Sequence, residues 1–138
     1  MSDGEAFFDT SVLIYLLSSE SKKADRMEAL LADSGVISVQ VLNEFTNVAS
    51  RKFDMSLADI REFLDTVRNV CRTEPVTVED HDRALEVKER ERYKFAFYDS
   101  VIAASALRAD CRILYSEDLQ HGQIIERKLK VINPFQNG

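Results

Sequence analysis

Short apolar segments alternate along this chain with longer stretches in which apolar residues recur every three or four positions. Short apolar runs are typical of buried strands, and the three-to-four spacing is typical of amphipathic helices. The short runs predict strands at residues 6–8, 36–39, 76–78, 112–115 and 129–132. The spaced pattern predicts helices at residues 12–17, 21–33, 40–52, 57–71 and 79–93. One more helix is predicted within 95–107, and it is buried on most sides because residues 101–107 are nearly all apolar or small.

The alternation of strands and helices over the whole length indicates a parallel sheet with helices on its faces. We therefore predict an α/β fold: a three-layer α/β/α sandwich around a central, mostly parallel sheet of four to five short strands. Residues 1–138 form a single domain in this prediction, because the sequence shows no repeat, low-complexity tract or linker.

Composition and charge narrow the function classes without choosing among them. The chain has 45% hydrophobic residues, four glycines and two prolines, which is typical of a compact domain with short connections. Its longest apolar run, residues 12–17, is too short to cross a bilayer, so we expect a soluble cytoplasmic protein with no membrane partner. Cys71 and Cys111 lie far apart without a metal-binding spacing and are expected to be free thiols. The net charge of −6 does not indicate nucleic-acid binding, unless a metal neutralises part of the acidic excess.

Four acidic residues fall where the predicted fold would bring them together. Asp9 and Asp118 each lie within a few residues of the carboxyl end of a predicted strand. Asp99 precedes the buried helix, and Glu44 lies beside the apolar stripe of the helix that leaves the second strand. Each has a structural alternative, since an aspartate can cap a helix and a half-buried acid usually has a structural partner. Because strand ends and helix starts share one edge of a parallel sheet, all four map to the same rim.

Converging carboxylates need a compensating charge. Two of them about 4 Å apart repel by roughly 4 kcal/mol at an effective dielectric constant of about 20. They therefore take up protons or share a divalent cation. Oxygen ligands without a nearby pair of histidines or cysteines favour Mg²⁺, or Mn²⁺, over zinc. Magnesium held in this way suits phosphodiester hydrolysis, because it polarises a phosphoryl oxygen and activates a water molecule.

The segments that carry these acids resemble those of PIN domains, and in particular those of the VapC family of ribonuclease toxins. They read Phe7-Phe8-Asp9-Thr10-Ser11-Val12-Leu13, Ser38-Val39-Gln40-Val41-Leu42-Asn43-Glu44-Phe45, Tyr98-Asp99-Ser100-Val101-Ile102-Ala103-Ala104 and Tyr115-Ser116-Glu117-Asp118-Leu119-Gln120-His121-Gly122. With the ending Asn133-Pro134-Phe135, the resemblance runs from about residue 6 to residue 135.

The resemblance implies a PIN-like fold and magnesium-dependent endonucleolytic cleavage of RNA. It implies a set of catalytic, metal-binding acids with supporting hydroxyls: Asp9, Glu44, Asp99 and Asp118, supported by Thr10 and Ser116. Asp9 and Asp99 are expected to be the most direct ligands, whereas the other two acids act through water. The resemblance also implies a homodimer and a cognate VapB-like antitoxin. The chain departs from the family pattern at Ser11, where asparagine is common, and at residues 126–128, where the family often has glycine.

Two further residues are candidates for contact with the RNA substrate. Arg51 lies two turns after Glu44 on the same helix face, and a surface salt bridge is its alternative role. His121 lies three positions after Asp118 and could also shuttle a proton, with a loop contact as its alternative role.

Other functions stay open on these residues. A housekeeping PIN-domain ribonuclease in RNA processing or decay has the same acids as a toxin. A PIN domain that binds RNA or a partner without cutting is a second alternative, against which the presence of all four acids argues. A phosphoacceptor signalling module is a third. That module needs adjacent acids after its first strand and a lysine after its last, whereas here Thr10 follows Asp9 and Asn133-Pro134 follows the final strand.

Overall fold

The computed structural model describes residues 5–90 and 96–136. In chain order the strands are β1 (Ala6–Phe8), β2 (Gly35–Ser38), β3 (Cys71–Glu74), β4 (Ile113–Tyr115), β5 (Ile124–Ile125) and β6 (Leu129–Ile132). The helices are α1 (Thr10–Leu13), α2 (Ser21–Leu31), α3 (Val39–Lys52), α4 (Leu57–Val70), α5 (Val78–Arg90) and α6 (Phe97–Arg108). A 3-10 helix, Ile14–Leu17, continues α1. Residues 91–93 of the predicted helix 79–93 lie outside the described residues.

The strands form one sheet in the order β3-β2-β1-β4-β6-β5. Neighbouring strands pair in parallel, except that β5 pairs antiparallel with β6. Phe7 of β1 pairs with Val36 of β2 and Leu114 of β4, so β1 lies in the middle of the parallel part. The predicted α/β class and mostly parallel sheet are confirmed. The sheet has six strands rather than four to five, because the two residues of β5 are too few to produce a periodic pattern.

The predicted strand at residues 76–78 is wrong. The strand next to β2 is β3, in which Cys71 pairs with Gly35 and Glu74 pairs with Ser38. Cys71, the last residue of the predicted helix 57–71, instead begins this strand, with an extended backbone and a buried side chain. Thr77 belongs to the start of α5: its hydroxyl accepts a 3.0 Å hydrogen bond from the Asp80 N–H, and Asp80 Oδ2 accepts one of 3.1 Å from the Thr77 N–H. This reciprocal pair is a capping box.

The buried helix predicted within 95–107 is α6, in which every residue from Ser100 to Leu107 is buried. It packs against α5, α3 and the sheet, and its small residues permit this close approach. Within the ranges 5–90 and 96–136, no helix is both long and apolar enough to span a bilayer. Three helices, α1, α3 and α5, each follow a strand and therefore begin at the carboxyl edge of the sheet.

Candidate functional site

Asp9 lies at the carboxyl end of the central strand β1 and is 3% exposed. Its backbone N–H donates to the Tyr115 carbonyl at the end of β4 over 3.0 Å, so the pairing of the two strands continues to this residue. Asp9 is also the N-cap of α1, where its Oδ1 accepts a 2.8 Å hydrogen bond from the Thr10 N–H. The end of the strand and the start of the helix therefore fix a buried carboxylate at the sheet edge.

Two serine hydroxyls hold the other oxygen of the Asp9 carboxylate. Ser11 and Ser116 donate to its Oδ2 over 2.9 and 2.8 Å. The Ser116 hydroxyl also accepts from the Asp118 N–H at 3.1 Å, and the Ser11 hydroxyl accepts from the Glu117 N–H at 3.0 Å. The two serines thus connect Asp9 to the loop that carries Asp118.

Asp99 and Asp118 converge on Asp9. One carboxylate oxygen from each of the three lies within 4.8 Å of the others, and we call these three residues the acid cluster. Asp99 lies in the first turn of α6, whose N-cap is Ala96, so Asp99 does not have the alternative role of a helix cap. Three separate parts of the chain therefore bring carboxylates to one point.

Burial raises the pKa of every carboxyl group in the acid cluster. It raises the pKa of Asp9 to about 7, although hydrogen bonds from two serines oppose the shift and the charges of Asp118 and Asp99 add to it. For Asp99, burial followed by repulsion from Asp118 and Glu44 raises the pKa to about 6. The pKa of Asp118 is raised by burial and by a neighbouring acid. Each value reflects the cost of ionising a carboxyl group close to other carboxylates and away from water.

The acid cluster has the composition of a site for a hard cation. Its ligand atoms are all carboxylate oxygens, which Mg²⁺ and Mn²⁺ prefer. The charge of Lys88 lowers the pKa of Asp99, but burial and the neighbouring acids outweigh it, so the net pKa shift is upward. A divalent cation is therefore the counter-charge that these carboxylates fit.

Glu44 stands beside the acid cluster without belonging to it. Its Oε1 accepts a 2.9 Å hydrogen bond from the Thr10 hydroxyl, and its Oε2 accepts one of 3.3 Å from the Gln40 side chain. Its charge nevertheless contributes to the raised pKa of Asp99, so the two carboxylates are electrostatic neighbours. Of the four predicted acids, three converge and the fourth is held on an adjacent wall.

All four acids line one cavity of about 440 Å³. The cavity is also lined by residues that the sequence analysis did not select: Ile14, Asn47, Val48, Lys52 and Glu117. Asn47 lies three positions after Glu44 on α3, and Lys52 is an exposed residue of the last turn of this helix. Val48 and Lys52 could have been selected from the sequence, because they follow Glu44 at successive intervals of four residues and neighbours at that spacing lie close together on a helix.

The two candidates for RNA contact occupy different positions. Arg51 is exposed and is not among the described residues that line the cavity. His121 Nδ1 accepts a 2.9 Å hydrogen bond from the Asn133 N–H, which joins its loop to the end of β6. An RNA contact by either residue stays a prediction.

The sequence model of the PIN domain matches residues 6–125. The chain belongs to the PIN domain family. The match begins at the first residue of β1, ends with β5 and includes the acid cluster and Glu44, so the resemblance noted from four short segments is confirmed over most of the domain. No curated protein sequence matches the chain significantly.

Solved structures of several proteins share the fold of this PIN domain. VapC20 of Mycobacterium tuberculosis, a toxin that cleaves the sarcin-ricin loop, is 22% identical over 82% of this chain and 89% of its own, with a TM-score of 0.67. A toxin-antitoxin complex from Klebsiella pneumoniae gives 20% identity, coverage of 96% and 99%, and a TM-score of 0.70. DNA-bound VapBC from Salmonella typhimurium is 15% identical over 92% of this chain and 97% of its own, with a TM-score of 0.66.

Proposed function

We propose that this PIN domain is a divalent-metal-dependent endoribonuclease. The observation that carries the proposal is the acid cluster, in which three carboxylates from distant parts of the chain approach within 4.8 Å. Their raised pKa values make an ionised, cation-free cluster unfavourable at neutral pH. Perturbed carboxyl groups in a cleft are typical of functional sites.

Asp9, Asp99 and Asp118 are the residues that would hold Mg²⁺ or Mn²⁺. When bound, such an ion supplies Lewis acidity toward a phosphoryl oxygen and lowers the pKa of a water molecule. The chain itself fixes the orientation of Asp9 through the Ser11 and Ser116 hydroxyls. Glu44, oriented by Thr10, presents a carboxylate at the cavity wall that can accept a proton at its Oε1 or Oε2.

The proposed biological role is that of the toxin of a VapBC-type toxin–antitoxin pair. Its support is the shared fold over nearly the whole of several chains whose structures are described as VapC toxins or toxin–antitoxin complexes. The further parts of the proposal are a cytoplasmic location, a homodimer and a VapB-like antitoxin that covers the cavity. A basic side chain of the antitoxin that enters the cavity would add positive charge beside the acid cluster.

The first experiment measures cleavage by the purified protein. We expect discrete RNA products in Mg²⁺ or Mn²⁺ and none in EDTA. Asp99→Asn keeps the size and polarity of the side chain but removes its charge, so this variant should give no product. Metal-independent cleavage, or equal cleavage by Asp99→Asn, would refute the proposed role of the acid cluster.

A second experiment distinguishes a toxin from a housekeeping ribonuclease. Induced expression of the wild-type chain should stop growth and produce a discrete cut in total RNA, whereas Asp99→Asn should do neither. Co-expression of an antitoxin encoded beside this chain should restore growth. Cleavage without growth arrest, and without a neighbouring antitoxin, would instead identify a housekeeping nuclease.

A further inference from the structure

One positively charged side chain lies on the wall of the acidic cavity. The described residues that line the cavity include five acids: Asp9, Glu44, Asp99, Glu117 and Asp118. Lys52 is the one Lys or Arg among those lining residues. Its position needs an explanation, because an RNA phosphate that approaches five carboxylates is repelled unless cations compensate.

Lys52 is not engaged in neutralising these acids. Glu117 has its own partners, since its carboxylate accepts hydrogen bonds from the Tyr15 hydroxyl at 2.8 Å and from Lys23 Nζ at 3.2 Å. Within residues 5–90 and 96–136, no carboxylate lies within salt-bridge distance of the Lys52 amine. A structural explanation exists in the C-terminal turn of α3, where a cation interacts favourably with the helix dipole. The interaction with the helix dipole does not explain why the Lys52 side chain lines the cavity.

Lys52 lies at the end of α3, away from the acid cluster, but its side chain still lines the cavity. Glu44 and Lys52 are separated by two turns, which is about 12 Å along the helix axis. Side chains on a helix tilt toward its N-terminus, so the long lysine side chain extends back toward Val48 and the cavity. Lys52 therefore marks a point on the wall that is distant from where the reacting phosphate would lie.

We propose that Lys52 binds a backbone phosphate of the RNA next to the one that is cleaved, so that the substrate lies along α3. This inference rests on the proposed ribonuclease function and adds a substrate contact to it. A lysine ammonium is a compact charge that contacts phosphate without reading the base. The contact therefore contributes affinity that is independent of RNA sequence and sensitive to salt.

The test measures binding of two fluorescent single-stranded RNAs of unrelated sequence by anisotropy over a range of salt concentrations. All variants carry Asp99→Asn so that the RNA stays intact. Lys52→Ala should weaken binding of both RNAs by about 3- to 5-fold, the value of one exposed ion pair. It should also reduce the slope of log Kd against log salt by about 0.7, the contribution of one phosphate contact on a single strand. Lys52→Arg should keep most of the affinity.

Lys130→Ala is the matched control, because Lys130 is also an exposed lysine. It lies near the start of β6, paired with the first residue of β4, and therefore at the opposite edge of the sheet from the acid cluster. In the active background, Lys52→Ala should raise KM and leave kcat unchanged, as expected for lost ground-state binding. Thermal unfolding should show that both variants are folded at the assay temperature.

Two results would overturn the inference: an unchanged salt slope in Lys52→Ala, or an equal change in Lys130→Ala. These failures are distinguishable from failure of the ribonuclease proposal. If the wild-type chain cleaves RNA but Lys52→Ala binds RNA as tightly as the parent chain, only the role of Lys52 is refuted. If the wild-type chain neither binds nor cleaves RNA, the ribonuclease proposal fails and the inference fails with it.

Discussion

Asp9 and Asp80 are both almost completely buried, at 3% and 1% exposure, but their partners differ in charge. Asp9 accepts hydrogen bonds only from neutral groups, namely one backbone N–H and two serine hydroxyls. Asp80 accepts from Arg108, with Nε at 2.8 Å from its Oδ1 and Nη2 at 3.2 Å from its Oδ2. Both carboxylates are thus buried, and only Asp80 accepts hydrogen bonds from a cation of the chain.

The pKa values of the two groups move in opposite directions as a result. Burial raises both, but for Asp80 the hydrogen bonds and charge of Arg108, with help from Thr77 and Ser105, outweigh burial and lower its pKa. Asp9 has no such compensation, and its pKa is raised to about 7. A buried carboxylate with its own guanidinium stabilises the fold by joining α5 to α6. A buried carboxylate among other acids, with neutral partners only, fits a cation from outside the chain.

Exchanging each carboxylate for its amide should have opposite consequences at the two sites. Asp9→Asn should reduce RNA cleavage by about 10³-fold, the upper range for loss of one group that stabilises charge in an active site. It should also raise the stability of the metal-free protein near pH 8 by about 1–2 kcal/mol, because a buried charge is removed. Cleavage assays and urea unfolding measure the two effects.

Asp80→Asn is the control for that experiment. It should lower the free energy of unfolding by about 2–3 kcal/mol, less than for a fully buried pair because the Arg108 side chain is 33% exposed. Cleavage at temperatures where the variant is folded should remain near the wild-type rate. A stabilising Asp80→Asn together with a destabilising Asp9→Asn would reverse the comparison and refute it.

The opposite pKa shifts also predict opposite dependences of stability on pH. The pKa of Asp9 rises on folding from 3.8 to about 7, so between these values the native carboxyl group keeps a proton that the unfolded chain has lost. Stability of the metal-free protein therefore falls as the pH rises through this range, by at most about 4 kcal/mol for this group. For Asp80 the sign is reversed: its stabilisation is present above its unfolded pKa and is lost as the pH falls through the lower folded pKa.

Urea unfolding in EDTA between about pH 5 and pH 8 measures this dependence. The difference between the wild-type chain and Asp9→Asn reports the contribution of Asp9 together with its repulsion from Asp99 and Asp118, while the contributions of distant titrating groups cancel. The difference should grow with pH and level off above the folded pKa. A difference that does not change with pH would show that the acid cluster is ionised without cost, contrary to the comparison with Asp80.

Divalent cations should stabilise the protein through the acid cluster alone. At a Mn²⁺ concentration 100 times its Kd, the free energy of unfolding should increase by about 2.7 kcal/mol. Asp99→Asn should lose most of this increase, because it removes a carboxylate of the acid cluster. Asp80→Asn should keep the increase, because Asp80 lies outside the cluster and pairs with Arg108. Thermal unfolding with and without Mn²⁺ measures the effect at a pH near 8. An equal increase in all variants would indicate that the metal binds elsewhere on the chain.

The convergence of Asp9, Asp99 and Asp118 could be predicted from sequence because it follows from topology. Two of these acids follow strands and the third begins a helix, and a parallel sheet places strand ends and helix starts at one edge. Glu44 could be placed only on the correct helix and near the correct face. Its hydrogen bond from Thr10, 34 positions earlier in the chain, depends on how α1 and α3 pack. Periodicity along one helix cannot give that information.

The strand β3 could not be placed by the same method, because Cys71 continues the four-residue spacing of the apolar stripe of α4 after Val67. A local signal against the predicted strand at 76–78 was nevertheless present. Thr77 and Asp80 have the spacing of a capping box, which indicates a helix start. The pairing of Asp80 with Arg108 is different, since the two are 28 positions apart and only the tertiary structure reveals it.

Arg51 and Lys52 show that helix geometry alone does not determine which residues line the cavity. At 100° per residue, Arg51 lies about 20° from Glu44 around the helix and Lys52 about 80°, so the sequence favours Arg51 as the substrate contact. In the structure Lys52 lines the cavity, because residues of α1, α6 and the loop after β4 form its other walls. The sequence determines which face of α3 is apolar, whereas the position of the cavity depends on the neighbouring elements.

The smallest of the expected effects compares the serine hydroxyls that serve the two buried carboxylates. Ser116→Ala removes the donor to Asp9 Oδ2 and the acceptor for the Asp118 N–H. Cleavage should fall by about 10-fold, the lower end for loss of a group that orients a metal ligand, because Ser11 still donates to the same oxygen. The matched variant Ser105→Ala removes the 3.2 Å hydrogen bond to Asp80 Oδ2 and should cost about 1 kcal/mol of stability without changing cleavage. If Ser105→Ala reduced cleavage as much as Ser116→Ala, both hydroxyls would affect cleavage indirectly, by stabilising the fold. The distinction between a carboxylate that stabilises the structure and one that serves the site would then not hold.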